Sequence, residues 1–157
     1  MRTLHALSAF LPRLAALVLG AAGLAATAGC GSGSANVAFS CGPEINGGTL
    51  LTVDVVRATE SEVERIRALG EKWFYDPLRD SLRDRTRTAT FSRDDARCDK
   101  TVTVEAGKGE RFLVIVADYR FQSPDPGRYL AVLPVERWRG RTLRVQVRDR
   151  EFSIDQP

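Results

Sequence analysis

From Leu50 to Arg57 the chain alternates, with Leu51, Val53 and Val55 on one face and Thr52, Asp54 and Val56 on the other. That is the period of a half-buried strand. Val102 and Val104 alternate in the same way with Thr101, Thr103 and Glu105, and Leu143, Val145 and Val147 with Arg144, Gln146 and Arg148. Phe112-Leu113-Val114-Ile115-Val116-Ala117 is apolar without a break, which marks a central strand buried on both faces. Strands are predicted over 36–40, 50–57, 86–92, 101–106, 111–119, 129–135, 142–148 and 151–154, with Gly107-Lys108-Gly109, Pro124-Asp125-Pro126-Gly127 and Arg139-Gly140 as turns. About eight short strands separated by turns predict an all-β fold, a two-sheet sandwich.

The period changes between the second and third strands. Thr59 and Ser61 each have a Glu three residues on (Glu62, Glu64), the spacing of a capping box. Val63, Ile66 and Leu69 then form one stripe, and Gly70 ends the helix. Trp73-Phe74-Tyr75 is expected to plug the sandwich edge. Asp76-Pro77 opens a second short helix, with Leu78 and Leu82 inward and Arg and Asp outward. The charge run from Arg79 to Arg87 reads as a solvated face.

The first 29 residues are of another kind. Arg2 and Arg13 precede an apolar run from Leu14 to Ala28, which closes in Ala26-Thr27-Ala28-Gly29 before Cys30. This is the pattern of an export signal and falls short of the roughly 20 residues of a membrane span. Ala28-Gly29-Cys30 resembles the lipobox of bacterial lipoproteins, which implies cleavage before Cys30 and acylation of its thiol. The expected organisation is a signal peptide over 1–29, a lipidated Cys and Gly/Ser tether over 30–35, and a β-sandwich over 36–157. The tether spans only about 12 Å. Cleavage leaves 128 of 157 residues, enough for one domain. Both signal arginines leave and no acid does, so the net charge falls from +3 to +1. That balance excludes a nucleic-acid footprint.

His5 is the only histidine and leaves with the signal. The mature chain cannot run Ser-His-Asp or Cys-His chemistry, nor build a His-ligated zinc site. Adjacent acids such as Asp94-Asp95 read as a polar turn. We expect no enzyme activity, no cofactor, no metal and no small-molecule substrate. With Cys30 acylated, Cys41 and Cys98 remain in an oxidising compartment, where they form either a disulfide or two buried thiols. A bridge there would close a long loop worth about 4 kcal/mol in the chain-entropy model.

The order of elements resembles the TssJ family of type VI secretion lipoproteins. Thr52-Val53-Asp54-Val55-Val56-Arg57 is similar to its Val-rich second strand, and Trp73-Phe74-Tyr75-Asp76-Pro77-Leu78 stands where the family has a Phe/Leu/Tyr helix. Arg111 to Arg120 is similar to its arginine–aromatic strand, and Tyr129-Leu130-Ala131-Val132-Leu133-Pro134 to its Trp-Arg-Ala-Val-Val-Pro. The loop Asn46-Gly47-Gly48-Thr49-Leu50 lacks the Arg and Pro of the family pattern. The resemblance implies a transthyretin-like sandwich, lipid-anchored to the outer membrane and facing the periplasm. It also implies that the loop from Glu44 through Ile45, Asn46, Gly47 and Gly48 to Thr49 binds the periplasmic part of the inner-membrane component TssM. A generic periplasmic lipoprotein that binds another envelope protein or a small ligand is the alternative.

Strand parity orients these parts. If successive strands run up and down, loops after odd-numbered strands gather at one end, and Cys41 and Cys98 fall there together, as a bridge requires. Ile45 is expected as the apolar anchor of the partner and Asn46 as its polar contact. Replacing both is then expected to spare the fold.

Overall fold

Leu51–Ala58 is a strand with almost nothing left to water, and the elements around it explain why. A computed structural model of the chain describes residues 33–42, 44–92, 98–120 and 123–155. The signal, Cys30, Gly31, Ser32 and Asp94-Asp95 lie outside the described residues, while Ser34 and Ala35, expected in the tether, already belong to the first strand. Among the described residues, eight strands form two four-stranded sheets. One has the order β4-β1-β7-β8, from β1 (Ser34–Cys41), β4 (Lys100–Glu105), β7 (Thr142–Val147) and β8 (Phe152–Asp155). The other has the order β3-β2-β5-β6, from β2 (Leu51–Ala58), β3 (Thr86–Phe91), β5 (Phe112–Ala117) and β6 (Leu130–Pro134). Neighbours are antiparallel except β1 and β7, which run parallel.

The inner faces of the two sheets meet in one core. Val37 and Phe39 of β1, Leu51, Val53 and Val55 of β2, and Leu113 and Ile115 of β5 join Leu143, Val145 and Val147 of β7 there. The other faces of the two sheets differ. On β7, Thr142, Arg144 and Gln146 are exposed, and on β4 so are Thr101, Thr103 and Glu105. The second sheet is instead covered by the insertion between β2 and β3. The insertion, built from helix α1 (Glu60–Leu69), a turn carrying Trp73 and helix α2 (Pro77–Ser81), lays Val63, Ile66, Trp73, Leu78 and Leu82 over Val56, Ala58, Val114 and Val116. This second core accounts for the unbroken apolar run in β5. Burying each such side chain contributes about 1.5–3 kcal/mol.

Thr59 is the cap of α1, and its N–H donates to Glu62 Oε2 at 2.9 Å. Gly70 ends α1 at φ 51, a conformation that glycine, having no β-carbon, adopts at little cost. Asp76 accepts from the Leu78 N–H at 2.8 Å and starts α2 with Pro77 at its first position. Three expectations are corrected. Trp73 packs on the outer face of the second sheet rather than at an edge, while Tyr75 is 84% exposed. Arg79 turns inward. Residues Val135–Trp138 form a short helix, α3, because the chain leaves β6 at Pro134.

Arg79 turns inward because Asp54 is there. Its side chain is 0% exposed, and its carboxylate accepts from Trp73 Nε1 at 3.0 Å, Arg79 Nε at 2.7 Å and Thr88 Oγ1 at 2.7 Å. Arg79 Nη2 adds a fourth bond at 3.3 Å, and the guanidinium lies over the Phe74 ring. The hydrogen bond from Arg79 to Asp54 holds the guanidinium above the ordinary arginine value. A buried charge is tolerated only when paired and hydrogen-bonded. Asp54→Ala should therefore cost about 3 kcal/mol by leaving Arg79, Trp73 and Thr88 without their acceptor. Arg83→Ala, with its side chain 84% exposed, should stay within about 0.5 kcal/mol of wild type, and urea titration of the two variants checks both values.

Arg85 of the same charge run pairs with Glu62 through two bonds, at 2.6 and 3.0 Å. Burial pushes the Glu62 carboxyl up, but the bonds from Arg85 and Thr59 outweigh it, and the group sits below the usual glutamate value. A depressed acid stabilises the fold above its unfolded pKa of about 4.3, and that stability is lost as pH falls through the folded value. Glu62→Gln should cost about 1 kcal/mol at pH 7. Thermal melts should show the gap to wild type closing below about pH 4. A gap independent of pH would remove the ion pair from the account.

Candidate functional site

The pairing directions make successive strands alternate from β1 to β8. The connections that follow β1, β3, β5 and β7 therefore all leave from and return to one end of the sandwich. Cys41 leaves β1 and Cys98 precedes β4 at this end, and the two form a disulfide with Cα atoms 5.3 Å apart. The insertion starts and finishes at the opposite end, as the parity reading required.

Asn46 organises the loop end. Its Nδ2 donates to the Leu50 carbonyl at 2.8 Å, and its Oδ1 accepts from the Arg120 N–H at 2.6 Å. Its own N–H donates to the Asp149 carbonyl at 3.1 Å, and its carbonyl accepts from Thr49 Oγ1 at 2.7 Å. Three loops are thereby joined through one residue, two of them by its side chain and the third by its backbone N–H. Asn46, Gly47 and Gly48 all have positive φ (49, 61 and 78). Asn and Gly are the residues that take this conformation at least cost. The Gly47 N–H, turned outward by this bend, donates to Asp149 Oδ1 at 2.6 Å.

Burial reassigns two residues. Ile45 is 9% and Asn46 3% exposed, and Ile45 belongs to the inter-sheet core. Neither can be the first contact of a partner, and replacing both would remove core packing and the hub together. The surface of the loop consists of Glu44, Gly47 and Gly48, with Thr49 half-buried. Beside them stands Leu50, 60% exposed, which the prediction passed over. The alternation of β2 carries its signal: Leu51 faces in, so Leu50 faces out. Asp118, which opens the 118–129 loop, donates its N–H to the Thr52 carbonyl at 2.8 Å. Burial raises its carboxyl above the usual aspartate value, opposed by Arg79 and aided by Asp54. Among the described residues no three His, Cys, Asp or Glu side chains come together as metal ligands do. What the loop from Glu44 to Leu50 offers is a stiff, cross-braced surface of backbone, one carboxylate and one apolar side chain, which suits recognition of a protein surface.

Solved structures share this architecture. Over 80% of this chain and 98% of the other, it matches Lip of Serratia marcescens, a membrane-bound component of the type VI secretion system, at a TM-score of 0.58 and 12% identity. It matches the type VI lipoprotein TssJ1 of Pseudomonas aeruginosa over 79% of this chain and 95% of the other, at a TM-score of 0.54 and 15% identity. The fold is that of the TssJ lipoproteins. A chain in the structure of the type VI protein TssM C-terminal domain (869-1107) from EAEC also matches, at a TM-score of 0.63 and 8% identity, over 79% of this chain and 98% of that one. No family model and no curated protein matches the sequence. At these identities the likeness carries the TssJ architecture and not the side chains of its surfaces.

Asn46→Ala should lower stability by about 2 kcal/mol, because the Arg120 N–H and Leu50 carbonyl lose their partner in a half-buried site. Leu50→Ser should stay within about 0.5 kcal/mol. Thermal unfolding of the two variants separates the hub from the surface.

Proposed function

We propose that this protein is an outer-membrane lipoprotein of a type VI secretion system, anchored through acylated Cys30. It recruits and holds the periplasmic part of TssM through the loop end of its sandwich. The observation that carries the reading is the opposition of the two ends. The described chain enters at Gly33, three residues after Cys30, at the end away from the loops. β1 then runs eight residues, about 27 Å, to Cys41. A lipid at residue 30 holds one end near the membrane and presents the other to the periplasm.

The comparisons support the partner class. A chain that covers 98% of its length with 79% of these 157 residues is about 127 residues long. The TssM segment 869–1107 is 239 residues long, so the matched chain has the length of a companion rather than of that segment. On this reading the surface is Glu44, Gly47, Gly48, Thr49 and Leu50, with Ile45 and Asn46 as its internal support. The Cys41–Cys98 disulfide and the Asn46 bonds hold the loop in shape before binding, which lowers the ordering cost of association. The role is adhesive and not catalytic.

Leu50→Asp combined with Glu44→Lys should weaken capture of the periplasmic domain of TssM at least tenfold, about 1.4 kcal/mol. The melting temperature should stay near that of wild type, because both side chains are exposed. Unchanged capture would move the surface away from this loop.

A further inference from the structure

The residues around Gly33 suggest how the anchored end meets the membrane. The Gly33 carbonyl accepts from the Ala106 N–H at 2.9 Å, and the Ser34 carbonyl accepts from the Gly140 N–H at 2.9 Å. The tether therefore enters between the β4–β5 turn and the connection from α3 to β7. Arg139 folds over it: a β-carbon on Gly33 would come within 2.8 Å of Arg139 Cδ and Nε. Arg141 lies beside β1, its carbonyl accepting from the Asn36 N–H at 3.0 Å. Lys108, Arg139 and Arg141 are all exposed here.

Several acids of this end face cations of the domain itself. Glu110 lies 3.2 Å from Arg57 and 3.8 Å from Arg85, and Glu136 lies 3.7 Å from Arg111. Asp155 stands opposite Arg144 in the β7–β8 register, and Glu105 is the exposed acid at the end of β4. The mature chain is nearly neutral, yet exposed Lys108, Arg139 and Arg141 stand on the two segments that flank Gly33, with Glu105 as the acid beside them.

We propose that Lys108, Arg139 and Arg141 form a basic collar that rests on the anionic lipid headgroups of the membrane holding the anchor. The inference depends on the lipid-anchor reading. Three residues from Cys30 to Gly33 reach at most about 10 Å, close to the screening length at physiological salt. The acyl chains fix the distance and the collar fixes the orientation, so the sandwich stands with its loops toward the periplasm. An ionic contact of this kind is the second signal that strengthens a lipid anchor.

The test uses the mature chain with Cys30→Ser, which has no lipid, and vesicles of phosphatidylcholine with or without about one third phosphatidylglycerol. The chain should bind the anionic vesicles at low salt, release at high salt and ignore the neutral ones. Each collar cation contributes about fivefold near such a surface. The triple variant Lys108→Ser, Arg139→Ser, Arg141→Ser should therefore lose at least tenfold in partition. Arg128→Ser, Arg148→Ser and Arg150→Ser at the loop end should leave it nearly unchanged. Melting curves check that both variants fold. Equal losses in the two triples would reduce the effect to net charge and overturn the collar. Membrane retention of the lipidated wild type reports on the anchor separately. If it stays with membranes while the Cys30→Ser chain ignores anionic vesicles, the anchor stands and the collar falls.

Discussion

A carboxylate with no access to water sits between the second sheet and its helical cover, and the architecture is arranged around satisfying it. Asp54 on β2 accepts from Thr88 on β3, from Trp73 after α1 and from Arg79 on α2. Each partner comes from a different element, so the four bonds form only when the insertion lies across the sheet. Removing one partner of such a cluster costs far more than the cluster contributes relative to an apolar equivalent. Asp54 thus specifies where the insertion docks, while Trp73, Ile66 and Leu78 supply most of the favourable energy through burial.

That docking has a topological consequence. The insertion begins and ends at the same end of the sandwich, so β3 starts where β2 stopped and the alternation continues to β8. All four odd-numbered connections therefore collect at the far end, where Asn46 and the Cys41–Cys98 bridge brace them. One end receives the tether and the other carries the braced loops. This division is what a protein holding a partner away from a membrane needs.

Much of this was legible in the sequence because the strands obey simple periodicity. The alternation in β2, β4 and β7 and the apolar run in β5 placed these strands within one or two residues. The Thr59/Glu62 box and Gly70 bounded α1 correctly. What failed were statements about side chains whose surroundings are distant in sequence. Arg79 looked solvated among charged neighbours because its partner lies 25 positions earlier on another element. Ile45 and Asn46 looked like surface in a turn-rich loop. Positive φ was legible in Asn-Gly-Gly, but the Arg120 N–H and Asp149 carbonyl that bury Asn46 come from loops that only the folded topology brings near. Leu50 was the opposite case, readable from parity and passed over.

The central claim is that the two ends do different work, one toward the membrane and one toward TssM. Site-specific photo-crosslinking in intact cells tests it most directly, with the photoreactive residue at Glu44 or at Lys108, both exposed and at opposite ends. The account predicts a covalent adduct with TssM from position 44 and none from position 108. An adduct from position 108 alone, or none from either in cells assembling the secretion complex, would contradict it.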